Sequence, residues 1–304
     1  MLSKNKIPIN IFSAIIGALL LTSCSKSNFD DDIALDNHFM TVPTDNWYPL
    51  LLDQARWGDG KAYLRLAEYH HDVSHDFLCF LSMLALAEQY GGINSLEDYF
   101  GHLPTGDNAK MFYDAIECFD GKDFHGASEI IERMISDNFL DGYTLKGIFF
   151  VEQGDTLEGK RFVSLAAGKG SALANLLLAA FPNWDGSENP SAESLTPLAE
   201  SIPLTCKLLG DLYAGVDGQE FTNEELAAKF YKKADELGFL GKRAARWLWE
   251  YYKRNNIDVG EREMNRLAIL GGTLDFSDGQ ENVSSQQDDT IMAQENEPVI
   301  FNNP

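Results

Sequence analysis

Basic charge is scarce in this chain. Its 304 residues carry 24 Lys and Arg against 47 Asp and Glu, a net charge of −23 at pH 7. Nucleic-acid binding rests on Lys and Arg clustered against phosphate, and no such stripe is present, so no nucleic-acid partner is expected. The same deficit argues against an anionic lipid surface. A basic partner, or plain solubility, suits the excess of carboxylates. Cysteine is scarce too. Cys24, Cys79, Cys118 and Cys206 are the whole complement, and no two stand in C-x-x-C spacing. The last three lie in apolar, helix-like contexts, where a free thiol behaves as a small hydrophobe. An oxidising compartment permits a disulfide among them, but the sequence assigns none. Strictly alternating β-branched runs are missing, which leaves helices. P-loop, G-x-G-x-x-G and G-x-S-x-G motifs are missing as well. The expectation is a non-enzymatic protein with no cofactor and no metal.

What is present begins at the N-terminus. Lys4 and Lys6 precede an apolar stretch from Ile9 to Leu21. That is short for a membrane span of roughly 20 residues and about the length of a signal-peptide core. Leu21-Thr22-Ser23-Cys24 follows. This resembles the lipobox of bacterial lipoproteins, which implies cleavage before Cys24 and diacylglycerol on its sulfur. Each buried acyl CH₂ contributes about 0.8 kcal/mol, so two or more chains hold stably. The resemblance implies a signal peptide over 1–23 and a lipidated acidic tether over 24–46. An acidic run after the lipidated Cys is similar to the surface-export signal of Bacteroidota lipoproteins. Here the run, Asp30 to Asp32, begins six residues after Cys24, and Lys26 intervenes. The implied location is the cell envelope, anchored in the outer membrane, with surface exposure a further expectation.

Beyond the tether, helix ends recur. Ala87-Glu-Gln-Tyr-Gly91, Ala166-Ala-Gly-Lys-Gly170, Ala234-Asp-Glu-Leu-Gly238 and Ala268-Ile-Leu-Gly-Gly272 each close an apolar-periodic segment. Gly238 and Gly272 lie 34 residues apart, and Gly170 to Gly238 is twice that. Ala199 to Pro203 and Met134 to Asn138 fill the intermediate slots, with an insertion expected around Gly91 to Asp107. Gly and Asn tolerate the left-handed backbone that ends a helix, and Pro cannot continue one. The Ala lets two helices approach closely. A fixed period with two helices per unit is the signature of a helical solenoid.

The most legible unit is Leu208-Leu-Gly-Asp-Leu-Tyr-Ala-Gly215 followed by Glu225 to Gly238. It resembles the Sel1-like repeat, L-G-x-L-Y-x-x-G and then A-x-x-W/Y-x-x-K-A-A-x-x-G. Thr222 is placed to cap the second helix, with Glu225 completing a capping box. Gly58 to Tyr69 and Leu145 to Gly154 resemble first helices. Segments 107–138 and 171–203 are nearer to the TPR family. The resemblance covers about residues 50–272. It implies an all-α fold, an α-solenoid of about six antiparallel helix pairs over 47–273. A disordered acidic tail, 274–304, follows without a single Lys or Arg.

Such stacks present an extended concave surface. The expected role is to bind a protein or peptide partner. Arg246-Trp-Leu-Trp-Glu-Tyr-Tyr-Lys253 is the most aromatic stretch, and helical spacing puts Trp247 and Tyr251 on one face. Trp and Tyr are favoured anchors, which makes Trp57, Tyr63, Trp247 and Tyr251 the candidate partner-binding residues. Tyr213 is expected in the core. His70, His71 and His75 with Asp72 and Asp76 form the densest group of metal-type side chains. H-E-x-x-H is absent, however, and Val73 and Ser74 mark a turn, so a solvated turn is expected there. Glu129 and Glu132 read as a solvated helix face. Two alternatives stand beside the scaffold. A glycan-binding or glycan-processing envelope lipoprotein predicts a deep pocket of convergent carboxylates. A purely structural envelope assembly factor predicts no localised patch.

Overall fold

The computed structural model describes residues 47–181, 191–216 and 223–273. The expected signal peptide, the tether with Cys24, Thr222 and the acidic tail lie outside them. Among the described residues the regular structure is helical, without a strand. The α-helices are α1 (Trp47–Arg56), α2 (Gly60–Asp72), α3 (Phe77–Gln89), α4 (Leu96–His102), α5 (Asn108–Asp120), α6 (Phe124–Ser136) and α7 (Leu140–Glu152). They continue with α8 (Thr156–Gly168), α9 (Ala172–Ala180), α10 (Ala192–Leu195), α11 (Leu204–Tyr213), α12 (Glu224–Glu236), α13 (Lys242–Arg254) and α14 (Glu261–Leu270). Among the described residues, no helix is long and apolar enough to cross a membrane.

Local chemistry sets the ends of these helices. Asp59, Asp76, Asp107, Asp123, Asp155 and Ser171 each accept a hydrogen bond from a backbone N–H of the first turn that follows. At α12 the cap is Asn223, which accepts from Leu226, and the helix starts at Glu224. Asn223 thus takes the capping role expected of Thr222, and Leu226 at the third helical position cannot complete the expected capping box. At the other end, Gly91, Asn138, Gly170, Gly238 and Gly272 all take positive φ, from 60° to 101°. The residue after each one donates its N–H back to the carbonyl of Ala87, Met134, Ala166, Ala234 or Ala268. This is the Schellman arrangement. The alanines in those slots are buried, as close helix approach requires.

Consecutive helices pack as antiparallel neighbours, most extensively α2 on α3, α5 on α6, α7 on α8 and α11 on α12. From α5 to α9 the helices start at 108, 124, 140, 156 and 172, one every 16 residues. A pair in that region spans 32 residues, against the 34 between Gly238 and Gly272. The insertion expected before Asp107 is occupied by the seven-residue α4.

In an open stack each pair would meet only its neighbours. Here α3 meets much more. Eleven of its thirteen residues are buried. A helix apolar all round belongs in an interior, whereas a single stripe would mark a surface helix. Phe77 packs edge-on to Phe112 of α5 and to Phe139, and Phe80 does so to Phe100 of α4. α9 and the turn before α11 line the same helix. Gln89 accepts the N–H of Lys242, the first residue of α13, at 3.0 Å. The last helices thus return to the first ones. Tyr90 stacks on Tyr63 and sends its hydroxyl to the carbonyls of Leu240 and Leu270.

Candidate functional site

The expected partner-binding residues fall in different environments. Tyr63 has no exposed surface and stacks on Tyr90 with ring centroids 5.4 Å apart. The structure places it in the core, out of reach of a partner. Trp57 is half-buried, with the Arg262 guanidinium 5.6 Å above its ring. Trp247 and Tyr251 do share a face of α13. Both are half-buried, and their rings stack nearly parallel at 5.3 Å, with Trp247 edge-on to buried Tyr231. The adjoining flank of α13, Ala244, Ala245, Leu248 and Tyr252, is core. Trp249 sits under the Lys253 ammonium at 4.7 Å. Tyr213, expected in the core, is half-buried and stacks on Phe230. Two exposed side chains had no part in the sequence reading. Leu157 is 80% exposed and Leu165 is 41% exposed. They lie eight residues apart on α8, about 80° apart around the helix at 3.6 residues per turn.

The histidine group is less solvated than its sequence suggests. His71 and Asp72 do end α2, and His75 and Asp72 are exposed. His75 turns its Nδ1 to the His71 carbonyl at 3.1 Å, so the two rings do not converge as ligands. His71 reaches Asp107, the cap of α5, with 3.4 Å between Nε2 and the carboxylate. Hydrogen bonding to Asp107, reinforced by Asp72, raises its pKa to about 9. His70 is buried. Its Nδ1 lies 2.8 Å from Ser74 Oγ and its Nε2 3.2 Å from the Tyr48 hydroxyl. Burial lowers its pKa, so the ring is neutral. Asp76 and Cys79 complete a group with His70. The cysteine was hidden in the sequence because a thiol inside an apolar helix reads as core. Its three-residue spacing from Asp76 was the one available hint.

Two further polar centres lie in the packed interior. The first joins the chain's early and late helices. Asp235 of α12 receives Arg266 of α14 through two hydrogen bonds, at 2.9 and 2.6 Å, and Arg56 of α1 at 2.8 Å. Both Asp235 and Arg266 are only 3% exposed. Arg266 also donates to the Arg56 carbonyl and to Glu263, whose carboxyl its guanidinium holds below the ordinary value. The second centre joins α7 to α9. Ser171 Oγ donates to Asp141 Oδ1 at 2.6 Å, Thr144 Oγ1 adds a bond at 3.2 Å, and the same Ser171 oxygen caps α9. Burial pushes the Asp141 carboxyl up. Glu132 pairs with Lys146, and exposed Glu129 lies near His125. Each of these carboxylates has a helix-joining partner or faces solvent, and none faces another across a cleft.

Compared with known proteins, the chain matches no family model, no curated protein and no solved structure. Its class is an all-helical protein built of adjacent antiparallel pairs.

Proposed function

We propose that the chain is a lipid-anchored scaffold of the cell envelope that binds a protein or peptide partner through the surface of a helical-repeat body. The observation that carries the reading is the Trp247–Tyr251 stack. It is a preorganised aromatic pair, half-exposed, on a helix whose other flank is locked into the core. Rigid aromatic anchors of this kind supply contact area at low entropic cost. The 16-residue register from α5 to α9 supports treating the pairs as repeats of a Sel1- or TPR-like solenoid. So does Gly210, where a Cβ would stand 2.4 Å from the Tyr231 ring. Glycine in that motif slot is what lets the ring sit against α11. Anchoring rests on the Leu21-Thr22-Ser23-Cys24 motif and on the arithmetic of acyl chains.

Two measurements test the reading. Cells fed a palmitate analogue should label the chain, and Cys24→Ala should lose the label; labelling of the variant would refute the anchor. A partner captured at one copy per chain by the detergent-solubilised protein should be lost when Trp247 and Tyr251 are both changed to Ala. Equal capture by that variant, at unchanged melting temperature, would move the binding surface off α13. Retention on polysaccharide instead would favour the glycan-binding alternative.

A further inference from the structure

A third polar cluster, largely buried, carries three side chains of metal-ligand type. His70 closes α2, Asp76 caps α3 and Cys79 stands in the first turn of α3. One ligand-type atom from each, a ring nitrogen, a carboxylate oxygen and Sγ, lie within 4.8 Å of one another. His70 and Cys79 are buried at 9% and 6% exposure. We propose that His70, Asp76 and Cys79 form a mononuclear binding site for a zinc-like divalent cation.

The donor set points to that class of ion. Imidazole, carboxylate and thiolate together suit zinc, whereas calcium and magnesium take oxygen alone. Ligands 2.0–2.3 Å from a tetrahedral centre stand about 3.5 Å apart, so the group must close by about 1 Å. The surroundings are already arranged. Ser74 Oγ accepts from Nδ1 of His70 while donating toward the His70 carbonyl. Holding Nδ1 in this way fixes the tautomer and makes Nε2 an acceptor, which takes the Tyr48 hydroxyl at 3.2 Å until a cation displaces it. Asp76 Oδ1 accepts the Cys79 N–H at 3.0 Å, and the same carboxylate takes a hydrogen bond from the Cys79 thiol, whose place the cation would take. Asp76 and Cys79 also border a cavity of about 10 Å³, with Ser82, Ile202 and Phe239 among its walls. That is room for about one water.

Binding has a simple balance. The Cys79 thiol, which burial holds protonated, gives its proton to solvent and Sγ bonds to the cation. His70 is neutral already and Asp76 contributes a carboxylate. A cation here would tie the α2–α3 turn to the root of the central helix.

Metal-stripped full-length protein titrated with Co²⁺ tests the assignment. One Co²⁺ per chain should bind, with thiolate-to-cobalt charge-transfer absorption that added Zn²⁺ abolishes. Cys79→Ser should remove that absorption and Cys118→Ser should keep it. Asp76→Asn retains the oxygen that caps α3 but should weaken Co²⁺ binding by about tenfold or more. Absence of the absorption from the folded wild-type chain, or its survival in Cys79→Ser, overturns the proposal. Should Cys79→Ser fail to fold, Asp76→Asn decides, since Co²⁺ affinity equal to wild type overturns it too.

Discussion

The middle of the molecule and its closure are held by different physics. From α5 to α9, helices of similar length follow one another at 16-residue intervals, and each packs mainly on its sequence neighbours. At the closure, α1 to α3 meet α12 to α14 across separations of about 180 residues, through buried charge and directed hydrogen bonds. Caps and turn residues, all local, suffice to set the middle. The closure needs partners that recognise each other at long range, and a charge network supplies directionality that apolar contact lacks.

The comparison breaks most sharply at Asp235. Asp235→Ala leaves Arg266 buried with only Glu263 and a carbonyl, and leaves Arg56 without its ion pair. Removing one partner of a buried charge pair costs about 3–5 kcal/mol. Urea denaturation should show that loss. Replacing the pair together, as Asp235→Leu with Arg266→Met, should cost less than Asp235→Ala alone, because the buried Arg266 charge leaves with its partner and Arg56, which loses its ion pair in both variants, is partly exposed. If the double variant is the weaker of the two, the network is not acting as a charge-paired junction.

The middle breaks in another way, by crowding. α7 and α8 cross at Gly147 and Gly159. A Cβ on Gly147 would stand 2.4 Å from Val163 Cγ2 and 2.7 Å from the Gly159 carbonyl. Alanine in a helix gains up to about 1 kcal/mol over glycine, but backbone cannot retreat cheaply from such a contact. Gly147→Ala should therefore destabilise by about 1–3 kcal/mol. Gly168→Ala is the control on the same helix pair. Nothing lies within 4 Å of a Cβ there, so it should stabilise slightly. Equal effects of the two on the melting temperature would show that α7 and α8 are further apart than described.

These two regions also differ in how far they can be read from sequence. Helix ends of the middle are legible because each is decided by its own residues. Gly170 and Asn138 take the left-handed backbone, and Asp155 and Ser171 cap. The shared face of Trp247 and Tyr251 follows from helical spacing alone. The closure is not legible. Asp235 stands in Ala-Asp-Glu-Leu-Gly, where a carboxylate reads as a solvated helix end, and Arg266 lies on an amphipathic helix among other charges. Their pairing depends on how the chain returns, which no window of local periodicity contains. Tyr63 was misplaced for the same reason. An aromatic near a helix start reads as an accessible anchor until Tyr90, from the far end of α3, stacks on it. His70, Asp76 and Cys79 are close in sequence, yet the burial that joins them comes from α3 lying at the centre.

The Asp141 centre sharpens the comparison, since it is a buried acid without the arginines that Asp235 enjoys. Its folded pKa is raised above the ordinary 3.8, mainly by burial. A raised pKa means the folded state favours the proton. The associated stability is present at pH below 3.8 and is lost as pH rises through the folded value. Asp141→Asn keeps an acceptor for Ser171 and Thr144 without the charge. Its melting temperature should exceed wild type at pH 8, and the gap should close toward pH 4. A gap independent of pH would mean that Ser171 and Thr144 already compensate the buried carboxylate.

The register of the middle itself sets a small capping loss against a packing loss. At 107, 123, 155 and 171 the residue before the helix caps it, whereas Phe139 makes no side-chain cap. Phe139 instead lays its ring edge-on to Phe77, 5.0 Å away, which ties the start of α7 to central α3. Where a position is needed for packing, capping yields. Asp155 is the opposite case, exposed and bonded only to the Glu158 N–H at 3.1 Å. Asp155→Ala should cost about 1 kcal/mol. Phe139→Ala should cost about 3 kcal/mol if packing outweighs capping in this register. Equal losses in denaturant would show that α7 is held by its own helix start, like the other helices of the series, and not by the centre of the fold.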